Sequence, residues 1–177
     1  MKNYILIILC MFCVSCVPMV QPSFDDETQA TRLVDEGLLH LRVNDLERAE
    51  ASFNLALELV VSAAAIDGLG CVAFMREDYN AAEKLFWEAY ETDRTYNNPL
   101  SNLALVYEKT GNKQKAREMY DRALKEDPKN FRMRNNYAVH LVEDNASKDE
   151  VSSELFKAQA LFNHRLIYGN IATLKEK

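Results

Sequence analysis

Helix breakers are scarce in this chain: it has five glycines and four prolines among 177 residues. Runs of β-branched residues are short as well, so a strand-rich fold is excluded in favour of an all-helical one. There is no cationic surplus. The net charge is −6 and the pI about 5.2, which excludes sequence-independent nucleic-acid binding, since that needs a basic surface. Hydrophobic residues make up 48% and charged ones 27%, a balance that folds rather than staying disordered. No GK[ST] phosphate loop, GxGxxG turn or HExxH helix is present, and no CxxC pair follows residue 16. The three histidines, His40, His140 and His164, lie far apart, and none has a second histidine or cysteine four residues on. No catalytic residue, metal site, cofactor or small-molecule substrate is therefore assigned, and the chain is read as a non-enzyme.

The first apolar run, Tyr4 to Val14, has 11 residues. That falls short of the roughly 20 that a helix needs to cross a bilayer. With Lys2 ahead of it, the run has the length of a signal-peptide core. The alternative is a short buried helix. Cys13-Val14-Ser15-Cys16 resembles a bacterial lipobox, with Cys13 where Leu is usual. The resemblance implies a signal peptide over 1–15 and lipid on Cys16; ordinary cleavage without lipidation is the alternative. About two or three acyl chains anchor a protein stably where one is marginal. Val17 follows, with no Asp to imply retention in the inner membrane, so the expected location is the bacterial outer membrane, facing the periplasm. Residues 16–29, with two prolines and the acids Asp25, Asp26 and Glu27, read as the lipidated Cys and a solvated linker. Cleavage and lipidation would leave Cys71 alone, which excludes an intramolecular disulfide. Between Gly70 and Val72 it reads as a small packing residue.

Beyond the linker the chain repeats. Leu100, Leu103, Ala104 and Tyr107 mark one face of a helix, Gly111-Asn112 a turn, and Ala116, Tyr120 and Ala123 a second face, before Pro128 stops it. Ala82 and Ala116 are 34 residues apart, as are Phe86 and Tyr120, and Ala89 and Ala123. This order resembles a tetratricopeptide repeat (TPR), with Leu100 in place of the usual Trp and Ala104 of the usual Gly. Repeats are expected over about 30–62, 63–96, 97–130 and 131–163, with a capping helix over 164–177. The last repeat carries Asn136, Tyr137, Ala138 and Leu141, then Leu155, Ala158 and Phe162 shifted by about one residue. A single helical hairpin cannot bury its apolar face, so the units must stack. Gly37, Gly70 and Ala104 are placed where the helices of a unit meet, and Phe53, Phe86 and Tyr120 between units. The resemblance implies an all-α, right-handed superhelix of helix–turn–helix units.

Such a stack lines its concave side with first helices. Candidate partner-binding residues there are Leu38, Leu41, Phe74, Met75, Asn98, Asn102, Leu105 and Asn135, with Val34, Asp67, Cys71, Ser101, Asn136 and Val139 beside them. Apolar groups would anchor a protein or peptide segment, and Asn can bond both the N–H and C=O of its backbone. The family's carboxylate clamp is not supported, because Val34, Leu38 and Asp67 stand in the first two units. Some of these residues could instead pack under the linker or the last helix. TPR lipoproteins of this size resemble the pilotin and assembly factors of type IV and Tad pilus systems. Asn135-Asn136-Tyr137-Ala138 is similar to a segment of the pilotin group. The implied function is a lipid-anchored scaffold for assembling a pilus or secretion complex; the alternative is an adaptor for cell-envelope or peptidoglycan machinery.

The anchor is open to a direct check. Metabolic labelling with a fatty-acid probe should mark the wild-type protein and leave Cys16→Ala unmarked. Equal labelling of the two would overturn the assignment.

Overall fold

A computed structural model describes residues 22–96, 98–162 and 165–176. The signal peptide, Cys16, Asn97, His164 and Lys177 lie outside these residues. The described chain forms nine helices: α1 Phe24–Arg42, α2 Leu46–Leu59, α3 Ala63–Met75, α4 Tyr79–Thr92, α5 Asn98–Lys109, α6 Lys113–Glu126, α7 Phe131–Glu143, α8 Lys148–Leu161 and α9 Arg165–Glu176. Successive helices pair into hairpins, and the hairpins stack in order with α9 against α8. First helices also touch across units, α1 on α3 and α3 on α5, whereas second helices of neighbouring units do not pack to that extent. The first-helix side is therefore the inner side of a superhelical stack.

Each hairpin turns through a residue in the left-handed region: Asn44 (φ 58°), Glu77 (φ 62°), Gly111 (φ 77°) and Asn145 (φ 57°). Backbone bonds run from Asp45 N to His40 O, from Asp78 N to Ala73 O and from Asn112 N to Tyr107 O, closing three turns alike. The next residue caps the second helix: Asp45, Asp78 and Asn112 each accept from the backbone N–H three residues on. In the fourth unit the equivalent bond is Ala146 N to Leu141 O, but the cap is Ser147. One extra residue in this turn explains the shift seen in the sequence. Ser147 accepts from Glu150 N, while the Glu150 carboxylate pairs with Arg117 of α6.

The linker reading needs correcting at its end. Ser23 accepts from Asp26 N, and the Asp26 carboxylate accepts from Ser23 N at 2.9 Å, a complete capping box. Asp25, Asp26 and Glu27 occupy the first turn of α1, where negative charge favours the helix dipole. Residues 24–29 are thus helix, not tether. Phe162, expected within a second helix, is the C-cap of α8, and its ring stacks on Phe131 at 4.6 Å between centroids.

The units lock through rings seated on small residues. A Cβ added to Gly37 would lie 2.6 Å from the Phe53 ring, and one added to Gly68 only 2.4 Å from it. Phe53 of α2 is thus clasped between α1 and α3. Phe86 of α4 sits in the same way on Gly70, 2.5 Å from the added Cβ. Both rings are fully buried, as is Tyr120, which stacks on Tyr137 of the next unit at 5.3 Å. Ala in place of Gly ordinarily favours a helix by about 1 kcal/mol. At Gly68 the ring reverses the sign, and Gly68→Ala should destabilise the protein by about 1–3 kcal/mol. Gly169 of α9 has nothing within 4 Å of such a Cβ. Gly169→Ala should leave the denaturant midpoint unchanged or raise it. Equal midpoints for the two variants would refute the ring-on-glycine contact.

Candidate functional site

A cavity of about 510 Å³ opens on the inner side. Helical spacing builds its walls. Leu38, Leu41 and Arg42 share one face of α1, Asp67, Cys71, Phe74 and Met75 one face of α3, and Asn98, Asn102 and Leu105 one face of α5. Tyr96 reaches in from the connection before α5, Arg132 from the start of α7, and Phe86 from beneath. A second cavity of about 250 Å³ adjoins it, sharing Asp67, Asn98, Asn102, Leu105 and Arg132 and adding Ser101, Asn130, Met133 and Asn136.

The cavity walls therefore include seven of the eight candidate residues: Leu38, Leu41, Phe74, Met75, Asn98, Asn102 and Leu105. Asn135 stands apart. Its carbonyl oxygen accepts from the Asn170 amide of α9 at 2.8 Å, so it serves the packing of the last helix. Val34 is buried in the core and offers nothing to a partner. Val139 is exposed, at 41%, but belongs to neither cavity. Phe74 is half-buried, packs on the core and meets the edge of Tyr79 at 5.6 Å. It was expected to be free of the core, and it is a structural residue with one face on the cavity. The freely offered apolar groups are Leu38 and Met75, each 41% exposed.

Arg42, Tyr96 and Arg132 were missed. Arg42 lies four residues after Leu38, so helical phase alone could have found it; attention to apolar groups passed over it. Tyr96 and Arg132 come from a connection and from the neighbouring unit, and no local spacing points to either.

Asp67 dominates the electrostatics. It is buried, yet it lies on the wall of both cavities. Its Oδ2 accepts from the Tyr96 hydroxyl at 3.1 Å and its Oδ1 from the Asn102 amide at 2.8 Å. Burial pushes its carboxyl from 3.8 up to about 6, and the bonds from Asn102 and Tyr96 offset only part of that. The same burial, with the Asp67 charge beside it, pushes the Cys71 thiol and the Tyr96 hydroxyl up. Cys71 is thereby held as a thiol, the unreactive form. Among the described residues no ion pair joins Arg42 or Arg132 to any carboxylate, and no three His, Cys, Asp or Glu side chains gather as a metal site would require.

The raised carboxyl carries a stability consequence. Between about pH 4 and 6 the folded chain binds a proton that the unfolded chain has released. Stability therefore falls as pH rises through that window. The loss amounts to roughly 2–3 kcal/mol by pH 7. Asp67→Asn can still accept from Asn102 on its oxygen and can donate from its amide to the Tyr96 hydroxyl oxygen, and it removes the charge. It should raise the denaturant midpoint near neutral pH, and the gap to wild type should close toward pH 4. A variant less stable than wild type at neutral pH would show that the carboxylate is not an uncompensated charge.

Two segments, residues 62–94 and 98–130, match two family profiles, each described as tetratricopeptide repeat. No curated protein matches the chain. Solved structures do. One is TTC0263, a thermophilic TPR protein in Thermus thermophilus, with a TM-score of 0.72, 15% identity and coverage of 83% of this chain and 81% of that one. YrrB, described as a TPR protein with an unusual peptide-binding site, gives 0.57 at 23% identity over 86% and 79%. A chain of the APC/C hetero-tetramer Cut9-Hcn1 gives 0.68 at 15% identity; the match covers 82% of this chain and 30% of that one. At such identities the likeness is one of fold, and on that fold this chain carries tetratricopeptide repeats.

Proposed function

We propose that this chain is a non-enzymatic scaffold that binds a segment of a partner protein in the groove on its inner side. The observation that carries the reading is the open cavity of about 510 Å³ built by four successive units. Leu38 and Met75 stand exposed on it although stacking does not need them. Exposed apolar groups clustered in a concavity are what a partner's anchor side chains need. The thioether of Met75 adapts to irregular surfaces. YrrB, a fold relative, is described as having a peptide-binding site, which is consistent with peptide capture by such a stack. The lipobox-like Val14-Ser15-Cys16 supports a lipid anchor, with the groove facing the periplasm from the outer membrane. The likeness to pilotin-type lipoproteins supports a role in assembling a pilus or secretion complex.

The groove can be tested in cells. A photo-cross-linking amino acid at Met75 should capture a partner, and one at Lys84, exposed on α4, should not. Leu38→Asp with Met75→Asp should weaken that partner's binding by at least about 30-fold, the loss of a hot-spot pair, with helicity unchanged. Undiminished binding by the double variant would refute the groove. A pilus or secretion component among the captured proteins supports the proposed pathway; peptidoglycan machinery would move the scaffold to the cell wall.

A further inference from the structure

This inference rests on the groove reading and names the chemistry of the occupant. We propose that the bound segment carries a Lys or Arg whose stem runs through the apolar cavity and whose cationic head meets the Asp67 carboxylate.

The first ground is that Asp67 is a buried charge with no counter-charge among the described residues. Its hydrogen-bond donors, Tyr96 and Asn102, are neutral, and each carboxylate oxygen can accept a further bond. Isolated buried carboxylates are costly and are ordinarily paired. Here the missing partner has a way in, because the same carboxylate lies on the wall of two open cavities.

The second ground is that the repeat does not need an acid at this position. Counting back three residues from Gly37, Gly70, Ala104 and Ala138 reaches Val34, Asp67, Ser101 and Asn135. The stack is served equally by an aliphatic, a hydroxyl or an amide side chain. The carboxylate is particular to the unit that floors the cavity.

The third ground is the fit of the walls. Leu38, Leu41, Met75 and Leu105 surround the approach, which suits the methylene stem of a long basic side chain. Arg42 and Arg132 are exposed at the cavity and disfavour a second cation. The segment therefore has one basic residue, with acidic or neutral neighbours.

Random peptides displayed on phage, panned on the purified full chain in detergent at neutral pH, are the probe. Wild type should enrich sequences sharing Lys or Arg at one aligned position between apolar residues, and Asp67→Asn should lose that position. The selected basic peptide should bind Asp67→Asn about tenfold more weakly than wild type. A cation stabilises ionised Asp67, so wild-type affinity should rise about tenfold from pH 5 to pH 7.5, through the carboxyl's value of about 6. In Asp67→Asn it should stay flat. The other titratable groups facing Asp67 leave that window clear: Cys71 and Tyr96 titrate above their ordinary ranges, and Arg42 and Arg132 stay charged. Peptides that need Leu38 and Met75 but lack a basic position, or carry only acids, would overturn the Asp67 assignment and leave the groove standing. Peptides bound equally by the Leu38→Asp, Met75→Asp variant, or no enrichment at all, would overturn both.

Discussion

The structure depends on aromatic rings seated on residues without a side chain. Phe53 fills the space that a Cβ on Gly37 or Gly68 would need. That contact ties the second helix of the first unit to the first helix of its own unit and to that of the next. Phe86 repeats half of the arrangement on Gly70. In the third unit Ala104 replaces the glycine, and Tyr120 is instead held by stacking on Tyr137. Close approach at Gly37 and Gly68 draws α1 and α3 together about Phe53, α3 also touches α5, and the second helices of neighbouring units do not pack to that extent. The curvature, and hence the groove, follows from where the small residues fall.

The groove departs from the economy of the rest of the fold. The other buried carboxylate among the described residues, Glu154, has a counter-charge in Arg134 at 2.6 Å. Among the described residues Asp67 meets only a phenol and an amide, and burial pushes its carboxyl up to about 6. Structural needs alone do not account for a charge held at such cost in a repeat that places Val, Ser or Asn at the same position. Sites that forgo stability in this way are commonly sites of binding or chemistry.

Much of the architecture was legible because repetition is a one-dimensional signal. The 34-residue spacings from Ala82 to Ala116 and from Phe86 to Tyr120 align residues that play the same part in successive units. Turn residues were legible too, since Asn or Gly takes the left-handed position in three of the four turns and Asp or Asn caps the helix that follows in the first three units. The failures share a cause. Asp25 to Glu27 read as a tether because acidity was weighed without the Ser23 cap that turns it into a helix start. Gly68 was passed over because its ring, Phe53, belongs to the preceding unit. Phe74 read as free because the edge of Tyr79 that covers it comes from the following helix.

The sequence by itself determined the helices, the order of the hairpins and the fact that they stack, because periodicity and breaker residues act within a few turns of chain. It also marked the inner-facing residues of α1, α3 and α5, since helical phase assigns a face. Only the tertiary structure decided which of them remain open. Asn135 shares the phase of Asp67, yet one is bound by Asn170 of α9 and the other lies on a cavity wall. Nothing local separates the two. The difference lies in what stands across the groove, and that is set by the packing of helices tens of residues away.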